Sequence, residues 1–287
     1  MTHVSNLRLT IGIPVYNGEN TIKESLDCCS KLSDDLFQVV VSDNGSTDGT
    51  LALAQSFSER YPHITVYRHK QNMGASNNFK FLLDGCSTEY FMWLAADDVV
   101  AESLNLAEID HLFQQYPRAI AVSPFALVGD VGSEVPDRGN RSLLGSCAMN
   151  TLRFLLRPGV NSRFYSIYRT ERLRALFVGT FGAGNGSYFA SDIVFSVAVL
   201  REGEWPQATS FVLTRKPGIS ADGWKLRKVY AKNLVEAVFP SVKFIRQIVG
   251  MSTLLERLPV LLVSILLYVR YLIGPLKHRL SHYLKRS

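Results

Sequence analysis

Two neighbouring aspartates, Asp97 and Asp98, close the apolar run 90–96. Hard divalent cations take oxygen ligands and are often shared between one or two carboxylates and the phosphates of a substrate. A strand that ends in such a pair is suited to holding a phosphate-bearing ligand through magnesium or manganese. Acidic pairs at strand ends also serve plain loop solvation. The elements that position the pair decide between these readings.

Those elements alternate. Residues 9–15 are apolar and β-branched and read as a buried strand, which Pro14 brings to its end. A turn over 16–20 precedes a helical pattern through Ile22, Leu26 and Cys29. Residues 39–41 form a second strand leading into the loop 42–50, where Asp48 is placed to cap the helix that carries Leu51, Leu53, Ala54 and Phe57. Residues 64–67 form a third strand, followed by Asn72, Met73 and Gly74 and a helix with Phe79, Leu82 and Leu83; the strand ending at Ala96 is the fourth. Strands alternating with helices imply a mostly parallel sheet with right-handed crossovers. Ligands of such sheets lie outside the carboxyl ends of the strands. The segments at 14–17, 43–48 and 97–98 all project from that one edge.

Pro14-Val15-Tyr16-Asn17, the segment Val41-Ser42-Asp43-Asn44-Gly45-Ser46-Thr47-Asp48-Gly49-Thr50, Asn72-Met73-Gly74-Ala75 and Leu94-Ala95-Ala96-Asp97-Asp98 together resemble a family 2 glycosyltransferase. The resemblance covers about the first 125 residues, and continues more weakly to about residue 215. It implies an α/β chain of the GT-A type, with a Rossmann-like, mostly parallel central sheet flanked by helices. It also implies transfer of a sugar from a nucleotide diphosphate donor, with inversion, assisted by Mn2+ or Mg2+. It places Pro14, Tyr16, Asn17, Asn44, Ser46, Asn72 and Gly74 about the nucleotide-sugar. Asp43 reads the base, most commonly uracil, and Asp97 and Asp98 take the acidic metal and ribose position. Two departures stand out: Ala95 replaces the first aspartate of the acidic motif, and Ala101-Glu102 stands where a proline often follows. Metal binding then rests on Asp97 and Asp98, and which of them touches the ion is open.

Displacing a nucleoside diphosphate builds negative charge on the leaving oxygens, which a divalent cation neutralises. The acceptor hydroxyl needs a base on the opposite side. By resemblance that base is Asp192, which follows the glycine-rich stretch 182–186 and precedes Arg201 and Gly203; simple helix capping is the alternative role. Some relatives carry a further metal-binding histidine near residue 215. Here Arg215 and Lys216 stand there, either as cations facing the diphosphate or as a solubilising pair.

With 287 residues, 47% of them hydrophobic, the chain can bury a large core without disulfides. Its four cysteines form no framework, and Cys28-Cys29 read as packing residues. The six histidines show no ligand spacing and read as surface residues. The first residues lack a signal-peptide pattern, so the enzyme is expected in the cytoplasm. The net charge of +6 is uneven: residues 239–287 hold eight Lys or Arg against Glu256 alone. The organisation expected is a catalytic domain over 1–225 and a helical, basic and apolar segment over 226–287. The apolar stretch 258–274 would cover only about 25 Å as a helix, short of a hydrocarbon core of about 30 Å. A helix lying in the plane of the inner membrane leaflet is favoured over a single span or a helix packed on the catalytic domain or on a second subunit. The polar stretch 129–145 is expected beside the acceptor.

The expected activity is sugar transfer to a glycan or lipid-linked acceptor in the synthesis of a surface polysaccharide, lipopolysaccharide or glycolipid. A non-catalytic, nucleotide-binding or scaffolding subunit of a membrane assembly is the competing reading, motivated by Ala95 and the absent histidine. No glycine-rich basic loop for a triphosphate opens the chain, which disfavours a nucleotidyltransferase. Nucleic-acid binding is not expected, because the positive charge sits in an apolar tail rather than on a polar reading element.

Overall fold

The computed structural model describes residues 7–33, 35–129, 132–157, 159–181 and 191–216. The segment 226–287, the domain boundary at 225 and the stretch 182–190 lie outside the described residues. Among those described, no helix is long and apolar enough to cross a membrane.

The elements in chain order are β1 (Leu9–Val15), α1 (Ile22–Cys29), β2 (Phe37–Asp43), α2 (Thr50–Ser58), β3 (Ile64–Arg68), α3 (Ala75–Asp84), β4 (Tyr90–Trp93), β5 (Val99–Val100), α4 (Leu106–Gln115), β6 (Ala121–Val128), β7 (Val135–Pro136), α5 (Cys147–Leu156), a 3-10 turn (Ser162–Tyr165), β8 (Ile167–Arg169), α6 (Thr170–Phe181), α7 (Ser191–Glu202) and β9 (Gln207–Arg215). The sheet runs β3-β2-β1-β4-β8-β6-β9-β5, with β7 beside β6. Strands β3, β2, β1 and β4 are parallel. Beyond them β8 is antiparallel to both β4 and β6, β9 is parallel to β6, and β5 is antiparallel to β9. The expected mostly parallel sheet is thus corrected to a mixed one. The strands that mix it, β8, β5 and β7, are only three, two and two residues long, too short to carry a period-2 pattern. Strand order reverses between β1 and β4, and a crevice opens at the carboxyl ends of strands flanking such a reversal.

Strand β1 is buried on both faces, as its unbroken apolar run requires. Pro14 stays inside it, but beyond the last pair with β4, Gly12 with Trp93, so its missing N–H breaks no ladder bond on that side. Strand β4 stops at Trp93 rather than Ala96, and the chain turns through Ala95 to Asp98, whose amide donates to the Ala95 carbonyl at 3.0 Å. On one side of the sheet Ile11, Ile13, Val39, Val41 and Met92 pack with Leu26 of α1 and Ala54 of α2. On the other, Trp93 is the hub, with the rings of Phe79, Phe91, Phe164, Phe177, Tyr168 and Phe195 between 5.0 and 6.4 Å away. Its indole N–H donates to the Phe79 carbonyl at 3.1 Å. Cys28 and Cys29 are buried as expected. His69 departs from the surface reading: it is half-buried, 2.9 Å from the Ser42 hydroxyl and edge-on to Phe81.

One carboxylate fastens helix α4 to strand β9. Glu108 in the first turn of α4 accepts the amides of Thr209 and Ser210 in β9, each at 2.8 Å, and both their hydroxyls. Burial opposes its ionisation, but these donors outweigh that and hold the carboxyl down at about 2. A depressed carboxylate stabilises the fold above its unfolded pKa, near 4.3, and that contribution fades as pH falls towards 2. Glu108→Gln is therefore expected to lower the melting temperature at pH 7 and to flatten the acid limb between pH 4.5 and 2. Urea melts at pH 7 and pH 3 measure the difference, and an unchanged acid limb would count against the role.

Candidate active site

The loops at the carboxyl ends of β1, β2 and β3 are stitched into one rim. Asn17, in the left-handed region at φ 51°, donates its amide to Ser46 Oγ at 2.9 Å and accepts the Thr47 amide on Oδ1 at 2.9 Å. Asn44 donates to Asn72 Oδ1 at 3.0 Å and accepts the Met73 amide at 2.9 Å, and Asn72 also accepts the Gly74 amide at 2.8 Å. Gly74 sits at φ 85°, a conformation side chains resist. Asn17, Asn44, Ser46, Asn72 and Gly74 thus come together as expected, yet much of their bonding is to each other. They shape the rim. Asp48 accepts the Thr50 amide at 3.1 Å, one residue before the helix N-cap, Gly49. Tyr16 stands half-exposed beside half-buried Pro14.

Asp43, at the end of β2, is fully buried. Its Oδ1 accepts the Ser46 amide at 3.1 Å, while Oδ2 has no hydrogen bond among the described residues. Arg68 lies 3.9 Å from Oδ2, beyond hydrogen-bond reach, and is itself more than half exposed. A buried acceptor without a donor costs about 1–3 kcal/mol, and an N–H from a ligand would offset it.

Asp98 and Asp97 separate in environment. Asp98 is 1% exposed, its carbonyl accepts Ser25 Oγ at 2.7 Å, and its Oδ2 accepts Arg215 Nε at 3.0 Å. Burial pushes its carboxyl up to about 6, as does the Asp97 charge, with Arg215 opposing. Arg215 also donates to the Val160 carbonyl at 2.8 Å and lies 4.7 Å over the Tyr165 ring. Lys216 pairs instead with Glu24 of α1 at 2.5 Å. Asp97 is half-buried and makes no hydrogen bond or ion pair among the described residues. Nor do three or more His, Cys, Asp or Glu cluster there as a metal cage. This donor set fits a hard cation held by Asp97, with substrate phosphates completing the shell; Asp98 is already met by a guanidinium.

Between the amino end of α3 and the first turn of α7 lies a cleft of about 250 Å³, lined among others by Ala75, Phe164, Tyr165, Asn161, Asp192 and Arg215. Asp192 Oδ2 accepts Asn161 Nδ2 at 2.9 Å, and Ser196 Oγ donates to Asn161 Oδ1 at 3.1 Å. Asn161 is left-handed at φ 54° and buried. Asn161 and Tyr165 escaped the sequence reading, although asparagine tolerates the left-handed region better than most residues. Gly203, at the end of α7, allows close approach: a Cβ there would lie 2.4 Å from the Arg118 carbonyl oxygen.

The model of glycosyl transferase family 2 matches residues 10–177, more than half of the chain. An uncharacterized glycosyltransferase of Rickettsia typhi is 31% identical over 91 residues, 32% of this chain and 27% of that protein. YfnE of Bacillus subtilis, also an uncharacterized glycosyltransferase, is 32% identical over 108 residues, 36% of this chain and 27% of its own. The matches span about a quarter of the length of these relatives. Among solved structures, S. aureus TarS 1–349 in complex with UDP-GlcNAc superposes with a TM-score of 0.55 at 17% identity, covering 90% of this chain and 79% of that one. The mannosyltransferase PcManGT from Pyrobaculum calidifontis, in complex with GDP-Man and Mn2+, gives 0.55 at 17%, covering 97% and 79%. At such identities the likeness speaks for the fold, and the family model speaks for membership. The rim, the paired aspartates and the mixed sheet therefore stand in a chain that belongs to glycosyl transferase family 2.

Proposed function

We propose that this protein is an inverting glycosyltransferase that moves a sugar from a nucleoside diphosphate, uridine diphosphate in the first instance, to a glycan or lipid-linked acceptor of cell-surface glycan synthesis. The observation that carries the reading is that Asp192 and Arg215 line one cleft, with Arg215 tied to the acidic motif through Asp98. Asp192 takes the proton of the acceptor hydroxyl as its oxygen bonds to the anomeric carbon. The bond from that carbon to the diphosphate breaks, and the electron pair leaves with the nucleoside diphosphate. Asn161 holds one oxygen of Asp192 and leaves the other for this proton. Arg215 places a cation beside the leaving oxygens. A divalent ion on Asp97, when bound, adds Lewis-acid neutralisation of the diphosphate.

The orphan oxygen of Asp43 supports the choice of base. It accepts and does not donate, so it suits uracil N3–H or guanine N1–H. Adenine and cytosine present a lone pair at the corresponding ring nitrogen. Location at the inner face of the membrane, with the 226–287 segment as one contact, belongs to the same proposal.

Thermal melts and titration calorimetry with manganese test it. Uridine diphosphate at 100 times its dissociation constant is expected to add about 2.7 kcal/mol of stability. Cytidine diphosphate is expected to bind at least about tenfold more weakly, and Asp97→Ala to remove most of the manganese dependence. No stabilisation by any nucleoside diphosphate, with or without metal, would overturn the reading.

A further inference from the structure

From residue 138 to residue 170 the chain carries six arginines and no lysine, aspartate or glutamate. Two are used inside the fold. Arg163 is fully buried and donates to the carbonyls of Gly139 and Arg141. Arg169 donates to the carbonyls of Ala119 and Phe113 and lies 4.3 Å over the Phe113 ring. The other four, Arg138, Arg141, Arg153 and Arg157, are exposed.

Helix α5 lies in this stretch and is apolar on two faces. Asn150, Thr151, Phe154 and Leu155 point inward and are buried. Met149 and Leu156 point outward, 50% and 54% exposed, with half-buried Leu152 and exposed Arg153 beside them. At helical spacing these four share one sector about 100° wide. A soluble helix normally presents charge on that side. Val160, 51% exposed and four residues beyond Leu156 in the chain, lines the cleft, and its carbonyl accepts Arg215.

We propose that the outward face of α5, with Arg153 on it, Arg157 at its end and Arg138 and Arg141 exposed in the segment that leads into it, is a membrane-docking surface that seats on anionic phospholipid headgroups and sets the mouth of the cleft at the bilayer surface. It deepens the reading above on the acceptor side, and rests on that reading only for the acceptor being lipid-linked. Met149, Leu156 and Val160 enter the boundary between headgroups and acyl chains, as the apolar face of an interfacial helix does. The guanidinium groups meet lipid phosphates, which their planar donors match in pairs. Charge decides against a second copy of the chain as the occupant. A two-fold contact through this face would set Arg153 and Arg157 against the same residues, with no carboxylate between them.

Cosedimentation of the full-length chain with vesicles tests the assignment. The vesicles are phosphatidylcholine alone, or phosphatidylcholine with about one-third phosphatidylglycerol. The 226–287 segment is present in every variant, so ratios between variants isolate α5. Wild type is expected to partition onto the anionic vesicles and much less onto neutral ones. Arg153→Ser/Arg157→Ser is expected to lose about thirtyfold, at about fivefold per arginine near an anionic leaflet, and Met149→Glu/Leu156→Glu at least as much. Both variants are expected to keep the wild-type melting temperature and its increase with uridine diphosphate. Either variant partitioning like wild type, or equal wild-type binding to neutral vesicles, overturns the proposal. So does a dimer, seen by light scattering, that Met149→Glu/Leu156→Glu dissociates. If wild type shows no response to uridine diphosphate, the donor reading falls while the vesicle result still decides this one.

Discussion

Replacing Asp192 by asparagine is expected to lower kcat by about 10³-fold while leaving donor affinity within about twofold of wild type. A positioned general base contributes about 10²–10⁴-fold to such a transfer, and the amide cannot take the acceptor proton. The geometry survives the change. Asparagine is isosteric, its Oδ1 can still accept Asn161 Nδ2, and the Ser196–Asn161 bond that orients that amide is untouched. The loss should therefore fall on kcat and spare KM for the donor, as expected for a group that acts only in the transition state. Steady-state transfer with saturating acceptor, alongside calorimetric donor affinity, separates the two. Turnover within tenfold of wild type would remove Asp192 as base. Measurable transfer by wild type likewise separates an enzyme from a nucleotide-binding scaffold, the reading that Ala95 and the missing histidine keep in play.

The second large effect is expected at Arg215. Asp98 is 1% exposed and Arg215 is its one ion-pair partner among the described residues. Removing one member of a buried pair leaves an uncompensated charge, at a cost of about 3–5 kcal/mol. Arg215→Ala is expected to fall near the lower end, about 3 kcal/mol, because its guanidinium keeps some contact with water. Arg215→Ala/Asp98→Ala should recover part of that loss, since the orphaned carboxylate is gone. Arg215→Lys keeps the charge but not the fork that reaches Asp98 and the Val160 carbonyl together, so it should fall between. Urea melts of wild type, Arg215→Ala, Asp98→Ala and the double variant form a double-mutant cycle. Strictly additive losses would show that the pair is not coupled. Donor affinity should drop in both Arg215 variants, because the same cation lines the cleft.

Much of the site was readable from residue order alone. The runs 9–15 and 39–41 have the length and β-branching of buried strands, and the turn residues after them fall where strands must end. That was enough to bring Asn17, Asp43, Ser46, Asn72 and the paired aspartates to the same edge of the sheet. Their individual roles were not readable. Whether Asn44 faces a ligand or braces Asn72 depends on where another loop lies, and no local pattern encodes that. The roles of Asp97 and Asp98 diverge because Arg215, 117 residues away from Asp98, reaches only the latter.

The amino-acid order by itself determined the alternation of the first half, the family it belongs to and the edge on which the acidic residues gather. Local propensity and hydrophobic period act over a few residues, and those features need nothing longer. Tertiary structure alone decided that the sheet is mixed, that Asp98 is neutralised from β9, that Asn161 steadies Asp192 and that α5 turns an apolar face outward. Each is a meeting of segments far apart in the chain. Which partner a buried charge finds, and which side of a helix is covered, is settled by how the whole core packs.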